Sequence, residues 1–335
     1  NHAPDMNVAK PVFYKAKLAF WSVVKGHMAD IGGRGIAGYD PTSRTIWDDG
    51  LIIPASKLYD KGKSNRGVWD IILRNTKVRP LVEGDIHCEV GSVIVGERRL
   101  LELLERYGPE TLYAAVDEII AATERETRDK IGQIPDGVYY GEKSVDHDGI
   151  NKGIPVTVRA KVTKQGNEVT IDLSDSDPQR PGFINSTWAN TFSVSHQAIF
   201  YAIPGDIKRN EGSLKPIKVI ARKGCCINPE FPAAVTMCTC SMTETIAEAI
   251  WLALAPAIPQ WITACHGKSS YPCCTGFNPR TQRPWVIIDF FTNALGSGGT
   301  EGYDGWPGGG PTHCMGQLQL PDPEIWELTI PVHIL

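Results

Sequence analysis

The sequence has no long apolar run and no excess of basic residues, and its first residues lead us to expect no amino-terminal leader; each of these points argues against a class of protein. No stretch reaches the roughly 18 apolar residues that a membrane span requires. The first residues contain neither the basic nor the apolar region of a signal peptide. The 34 Lys and Arg are outnumbered by 38 Asp and Glu, which leaves no basic surplus to neutralise phosphates. We therefore expect a cytoplasmic protein that binds neither nucleic acid nor membrane.

Complete nucleotide-binding motifs are also lacking. Two Gly-Lys-Ser triplets end at Ser64 and Ser269, but a P-loop begins with a glycine that starts its tight turn. Lys57 and Ile262 stand at that position. In the glycine-rich stretch, Glu301 replaces the third glycine of the dinucleotide fingerprint. The sequence thus predicts no nucleotide site and no cofactor-binding residue of that kind in this chain.

The nine cysteines form no Cys-x-x-Cys pair, which excludes a zinc ribbon and a thioredoxin motif. We expect reduced thiols that behave as small hydrophobic residues. A soft-metal site built from adjacent cysteines such as Cys225-Cys226 remains the alternative. The nucleophile motif Gly-x-Ser-x-Gly is absent as well, and the neighbours Cys265 and His266 point to opposite faces in an extended segment.

Alternating apolar and polar residues over 8–14 and 18–24 predict a β-hairpin, followed by a glycine-rich loop at 26–33. The region 91–130 shows helical spacing of its leucines and isoleucines, and Gly108-Pro109 divides it into two helices. The amino-terminal part is therefore predicted to combine a hairpin with a pair of helices.

Beyond residue 135 the pattern predicts a second, β-rich part. A hairpin is expected over 156–173, because two alternating runs flank a turn at Gln165-Gly166-Asn167. The remaining predicted elements are helices at 188–204 and 244–256 and strands at 216–222 and 285–291. A glycine-rich loop occupies 296–310.

These elements indicate an α+β fold with mixed sheets and helices and more than one domain. We place a metal-site region at 1–135 and a mixed β-rich domain at 136–335. Because the sequence begins without Met and ends within an apolar stretch, we interpret it as part of a larger subunit.

Two His/Asp pairs with the same spacing are the strongest chemical signal. His2 and Asp5 precede the first predicted strand, and His27 and Asp30 follow the second. The hairpin should bring both pairs to one end of the sheet. Imidazole and carboxylate together suit a divalent ion such as Zn²⁺, Mn²⁺ or Fe²⁺. Exposed polar residues at strand ends are the alternative.

Several segments, in order, resemble the hydantoinase B/oxoprolinase family, whose pattern begins Thr-His-x-Pro-Asp and continues His-His-Ala-Asp-x-Gly-Gly. The segments that carry the resemblance are Asn1–Asp5, His27–Gly33, Asp48–Leu58, Ile171–Gln179 and Asn210–Ile217. The glycine-rich stretch at 296–310 is in register too. The resemblance covers nearly the whole chain.

The resemblance implies a metal held by His2, Asp5 and His27, with manganese or zinc as the first choices and iron as a third. Asp30 would orient His27, or else cap the turn before the glycines. The family's second histidine is Met28 here, and a thioether cannot donate a proton. That substitution argues against the hydrolytic branch of the family, where attacking water needs a nearby base.

The resemblance also implies a hetero-oligomeric complex in which ATP and Mg²⁺ are held by a hydantoinase A-like partner, and it leaves room for a small accessory subunit. We expect a metal-bearing subunit of an ATP-dependent, biotin-independent ketone carboxylase of the acetone or acetophenone type. The metal would hold an enolate that joins CO₂ released from carboxyphosphate. One alternative is an ATP-dependent hydrolase of a cyclic amide, with a lactam or hydantoin as substrate. The other is a non-catalytic scaffold subunit.

Overall fold

The computed structural model describes residues 2–267, 273–288, 296–307, 323–329 and 331. It combines helices with mixed sheets, as the α+β assignment predicted. Among the described residues, no helix combines the length and the apolar composition that a membrane crossing demands.

The chain begins with the predicted hairpin, formed by β1 (Asp5–Tyr14) and β2 (Lys17–His27). Lys15 and Ala16 form its turn with φ of 47° and 62°, the left-handed conformation that matches the twist of a two-residue hairpin. Antiparallel pairing sets Asp5 opposite His27. The hairpin therefore returns its two ends to the same place, as predicted.

Four helices and a small hairpin complete the amino-terminal part. They are α1 (Ile46–Asp49), β3 (Tyr59–Asp60), β4 (Lys63–Ser64), α2 (Arg66–Asn75), α3 (Arg79–Tyr107) and α4 (Pro109–Ile131). The break between α3 and α4 falls at Gly108 and Pro109, as predicted, and Gly108 adopts a φ of 76°. Helix α3 begins earlier than the predicted residue 91. Of the Gly62-Lys63-Ser64 triplet, Gly62 lies in the turn of the β3–β4 hairpin and the other two residues form β4.

The hairpin packs one face against α3. A core of eight buried residues lies between the hairpin end, α2 and the start of α3: Met28, Ile31, Trp69, Ile72, Leu73, Val78, Val82 and Ile86. The other hairpin face is exposed and carries Phe13, Leu18, Trp21 and Val23.

The second part is built on a four-stranded sheet of β5 (Gly137–Val145), β6 (Val156–Gln165), β7 (Glu168–Asp172) and β8 (Ile217–Ile220). The first three strands are antiparallel and β8 pairs parallel to β7. Helix α7 (Ser241–Leu254) packs on β5 and β6, and α5 (Trp188–Ala202) packs on α7. Twelve of the 14 residues of α7 are buried, so it forms the centre of the larger core.

The Asn210-Glu211-Gly212 motif joins the two parts. Asn210 accepts a hydrogen bond from the Gly212 amide at 2.9 Å and donates one to Thr123 of α4 at 2.9 Å. A side chain on Gly212 would overlap the backbone of α4. The short helix α6 (Glu211–Leu214) therefore docks on α4 through its glycine, and the division at residues 135 and 136 stays a prediction.

The last described elements are β9 (Cys273–Asn278), β10 (Arg283–Ile288) and α8 (Pro323–Thr329), and β9 pairs with β10. The predicted strand at 285–291 corresponds to β10, with residues 289–291 outside the described range. Residues 308–310 of the glycine-rich stretch also lie outside it.

Candidate metal centre

Three side chains converge where the hairpin begins and ends. A turn closed by a 3.0 Å bond from the Asp5 amide to the His2 carbonyl brings His2 next to Asp5. Strand pairing then sets Asp5 directly opposite His27. Local turn geometry and strand register therefore assemble His2, Asp5 and His27, as the sequence predicted.

The separations of the three ligand atoms fit a single ion. Nε2 of His2 lies 3.0 Å from Nδ1 of His27 and 3.5 Å from Oδ1 of Asp5, and Nδ1 of His27 lies 3.3 Å from the same oxygen. Metal bonds of about 2.1 Å at angles of about 90° to 109° set ligand atoms about 3.0–3.4 Å apart. Within the described ranges, this is the one His, Cys, Asp and Glu group with such a convergence.

The protonation of His2 is set by the Thr236 carbonyl, which lies 2.6 Å from Nδ1 of His2. A carbonyl only accepts, so Nδ1 carries the hydrogen and Nε2 presents its lone pair to the cluster. His27 then keeps its own hydrogen on Nδ1, facing His2 and Asp5. A divalent cation on the same three atoms would take the place of that hydrogen.

The electrostatics of the cluster also suit a cation. Burial lowers the pKa of His2 and outweighs the opposing bond to Asp5, which keeps the imidazole neutral. Burial alone would raise the pKa of Asp5, but its contacts with His2 and His27 outweigh it and hold that pKa well below its ordinary value. Lys25 lies 3.0 Å from Oδ2 of Asp5. The site thus offers the neutral imidazole of His2, the imidazole of His27 and one carboxylate.

The cluster opens to solvent on one side. The His2 and Asp5 side chains are 1% and 5% exposed, whereas that of His27 is 32% exposed. The half-buried Tyr39 flanks both imidazoles, with ring centroids 5.9 Å from His2 and 6.4 Å from His27. Its hydroxyl lies 4.0 Å from the thiol of Cys240. A small molecule can therefore reach the ligand atoms from the side of His27.

Asp30 is fully buried in the turn after the hairpin. Its Oδ2 accepts from the Lys77 amide at 2.6 Å and from the Gly32 amide at 3.4 Å, and the Lys77 ammonium lies 3.4 Å from Oδ1. These bonds support a backbone turn in which Gly32 and Gly33 have φ of 85° and 80°. They match the turn-capping alternative, and the role of orienting His27 stays a prediction.

Met28 does not face the cluster. Its side chain is 1% exposed and belongs to the core beneath the hairpin. Its Cε lies 3.3 Å from the place where a side chain on Gly26 would begin. Consecutive residues at the end of a strand alternate in direction, so His27 faces the cluster and Met28 faces the core. Methionine at this position therefore removes no acid or base from the site.

Seven cysteines whose side chains the structure describes are free thiols. Four are buried and three are exposed, the buried ones being Cys225, Cys226, Cys238 and Cys240. Burial raises the pKa of Cys226 to about 12 and that of Cys238 to about 11, which disfavours the thiolates that a soft metal needs. These values support the prediction that cysteines serve as small hydrophobic residues.

Sequence reasoning missed the loop that holds Thr236. This loop, residues 233–240 and called the 233–240 loop below, includes a short 3₁₀ helix at Thr236–Thr239. Asp49 at the end of α1 accepts a hydrogen bond from the Val235 amide at 2.7 Å. Asp49 fell within a segment that carried the family resemblance, but nothing in the sequence connected it to residue 235.

The sequence matches the family described as hydantoinase B/oxoprolinase over residues 1–335. It is 35% identical to the beta subunit of the caprolactamase of Pseudomonas jessenii over 100% of this chain and 58% of that protein. The crystal structure of that ATP-dependent caprolactamase superposes with a TM-score of 0.90 over the same shares.

Two further relatives extend the comparison. One subunit of a putative D-/L-hydantoinase from Pseudomonas sp. (strain NS671) is 32% identical over 91% of this chain and 52% of its own length. The acetophenone carboxylase delta subunit of Aromatoleum aromaticum is 23% identical over 77% of this chain and 38% of its own length. The chain therefore spans little more than half the length of the caprolactamase and hydantoinase subunits.

Proposed function

Because this chain belongs to the hydantoinase B/oxoprolinase family, we propose that it is the metal-bearing part of an ATP-dependent, hetero-oligomeric enzyme that hydrolyses a cyclic amide. The convergence of His2, Asp5 and His27 at ligand separations of 3.0–3.5 Å is the observation behind this proposal. Manganese and zinc are the first choices for this ion, with iron as a third, since two imidazoles and one carboxylate suit all three.

The choice of a cyclic amide follows from the relatives and from Met28. The relatives with 35% and 32% identity are subunits of a caprolactamase and of a putative hydantoinase, and caprolactam and hydantoin are both cyclic amides. The sequence-based preference for a ketone depended on the loss of an acid or base at Met28, and that side chain lies in the core. This reason against amide hydrolysis therefore loses its basis.

The chain's own residues account for binding and orientation. His2 and Asp5 are buried and fixed, whereas His27 lies at the open side where substrate arrives. Lys25 offsets the charge of Asp5 before an ion binds. When bound, a divalent ion would supply Lewis-acid stabilisation of the oxyanion that forms at the attacked carbonyl. Since the sequence has no nucleotide motif, we assign ATP and Mg²⁺ to a hydantoinase A-like partner in a cytoplasmic complex.

Substrate-dependent ATP hydrolysis by the purified complex tests this function. We expect lactams or hydantoins to stimulate phosphate release without bicarbonate, together with ring-opened product. Stimulation by a ketone only in the presence of bicarbonate would instead establish the carboxylase, which the acetophenone carboxylase relative keeps as the second candidate.

Metal analysis tests the site separately. We expect one divalent ion per chain in the native complex and its loss, together with activity, in His27→Ala. His147→Ala, which removes an exposed histidine from a loop outside the cluster, is the matched control and should keep both. A native complex without metal, or full activity in His27→Ala, would indicate the scaffold alternative.

A further inference from the structure

The 233–240 loop is held in place by buried side chains from three other segments. Asn185 donates to the Ala234 carbonyl at 3.0 Å, Asn190 donates to the Cys238 carbonyl at 3.0 Å, and Asp49 accepts from the Val235 amide at 2.7 Å. All three side chains belong to buried residues. The backbone of this loop is therefore fixed at both sides of Thr236.

Asp49 acts closest to the metal ligand. Its acceptor bond ends on Val235, and the next residue supplies the carbonyl that receives the Nδ1 hydrogen of His2 at 2.6 Å. A carbonyl displaced from this position would no longer select the tautomer that points Nε2 into the cluster. The Asp49 carboxylate thus holds the residue directly before Thr236, whose carbonyl orients His2 for metal binding.

Helix α1, which carries Asp49, is also fixed to the 233–240 loop at its other end. The Ile46 amide donates to the Pro232 carbonyl at 2.9 Å, and Thr45 forms a β-bridge with Ala233. Segment 45–49 therefore lies along segment 232–235 and is bonded to it at both ends.

The loop that follows His27 packs against the same helix. Gly33 and Gly38 have φ of 80° and 76°, and a side chain on either would overlap the backbone of Asp48 or Asp49. The Asp49 backbone therefore contacts the loop that follows His27, and its carboxylate bonds to the 233–240 loop that orients His2. Asp49 thus connects the segments that hold the two histidines.

We propose that Asp49 is a positioning residue of the metal centre, which acts by holding Val235 so that the Thr236 carbonyl fixes the tautomer of His2. This inference rests on the proposed function only in requiring that the cluster binds a divalent ion. This role requires a hydrogen-bond acceptor at position 49 and not a negative charge, because the donor is the neutral amide of Val235.

Cobalt binding to the metal-free complex tests the proposal, since Co²⁺ reports both affinity and coordination through its visible absorption. Removal of groups that orient metal ligands typically weakens affinity about 10- to 100-fold. We expect a loss of that size and an altered spectrum in Asp49→Ala. Asp49→Asn, which keeps the acceptor, should bind Co²⁺ with near-native affinity and spectrum.

Asp148→Ala is the matched control, because Asp148 is equally buried but bonds to the amides of Ile150 and Asn151 in its own turn. It should leave Co²⁺ binding unchanged. If Asp49→Ala does not fold, Asp49→Ser takes its place. The serine hydroxyl is too short to reach the Val235 amide, and serine leaves a smaller cavity than alanine does.

Native affinity and spectrum in the folded Asp49→Ala or Asp49→Ser complex would overturn the proposal. An equal loss in Asp49→Asn, or in Asp148→Ala, would do so as well, because the effect would then come from charge or from general destabilisation. A native complex that binds no Co²⁺ would instead overturn the proposed function, so the two failures are distinguishable.

Discussion

Nε2 of His2 lies 3.0 Å from Nδ1 of His27, although 25 residues separate them in the chain. The hairpin accounts for this contact, because its antiparallel register sets Asp5 opposite His27 and the preceding turn returns His2 to the same point. The proposed metal site therefore depends on the register of one two-stranded sheet, and a shift by one residue would turn the side chains to the other face.

Removal of metal should lower thermal stability only while the ligand set is intact. An ion that binds the folded chain and not the unfolded one stabilises it by about 2.7 kcal/mol at one hundred times its Kd. We expect a chelator to lower the Tm of the native complex by several degrees and to leave His27→Ala unchanged. An equal shift in both would show that the ion binds elsewhere. Differential scanning fluorimetry with and without EDTA measures this change in Tm.

Glu89 of α3 should make stability depend on pH. Burial raises its pKa to about 7, with Asp85 adding to the effect and the Gly26 amide opposing it. The folded chain then keeps a proton that the unfolded chain releases near its ordinary pKa of 4.5. The contribution to stability is fully present below pH 4.5 and declines as the pH rises through 7.

Chemical denaturation at pH 5 and pH 8 compares the native chain with Glu89→Gln. We expect the native chain to lose on the order of 2 kcal/mol between the two pH values and the variant to lose markedly less. Glu102→Gln, an exposed change on the same helix, is the control and should behave as the native chain does. Parallel curves for native and Glu89→Gln would contradict the pKa assignment.

A side chain on Gly26 should crowd the core, because a Cβ there would overlap the carboxylate of the buried Glu89, which would have to move. We expect Gly26→Ala to cost about 1–3 kcal/mol, as overpacking of a core usually does. Gly84→Ala on α3 is the control: nothing lies within 4 Å of its added methyl group, so it should stabilise by about 0.5–1 kcal/mol.

A double-mutant cycle identifies the cause of the Gly26→Ala loss. In a Glu89→Ala background the cost of Gly26→Ala should fall by more than half, because the overlapping carboxylate is gone. Additive costs would show that Gly26 is needed for another reason.

Asp30→Ala should reduce stability more than metal binding. It removes the acceptor of the Lys77 amide and leaves the buried turn at Gly32 without its cap, at a cost of about 2–4 kcal/mol. We expect the folded fraction to bind metal with near-native affinity, measured by chelator competition. A tenfold or larger loss of affinity in that fraction would support a role for Asp30 in orienting His27.

The parts of the site that could be predicted from the sequence are those whose residues are brought together by one short stretch of chain. His2, Asp5 and His27 were predictable because alternation over 8–24 defined a hairpin and therefore a common end. Thr236 was not, because a backbone carbonyl 234 residues away leaves no pattern in side chains. The argument from Met28 lost its basis for a similar reason: the sequence does not say which of two adjacent residues faces the core at a strand end.

The fold shows the same contrast. The hairpin of β6 and β7 was predicted from strict alternation, and its inward residues are buried. Strand β5, one of the two edge strands of its sheet, was missed because its apolar pattern is weak and none of its nine residues is fully buried. The start of helix α3 was predicted too late because Gly84 and Gly91 interrupt the apolar spacing of the first turns of the helix.

The bond between His2 and Thr236 has a consequence for how the protein matures during synthesis. A ribosome adds about 5–20 residues per second, so this acceptor emerges tens of seconds after the hairpin. Until then the hairpin can fold while nothing selects the His2 tautomer. The nascent chain therefore passes through a period in which it holds all three proposed metal ligands without the acceptor that orients His2. If the cluster binds metal as proposed, loading with the correct ion is a late event that follows synthesis of residue 236.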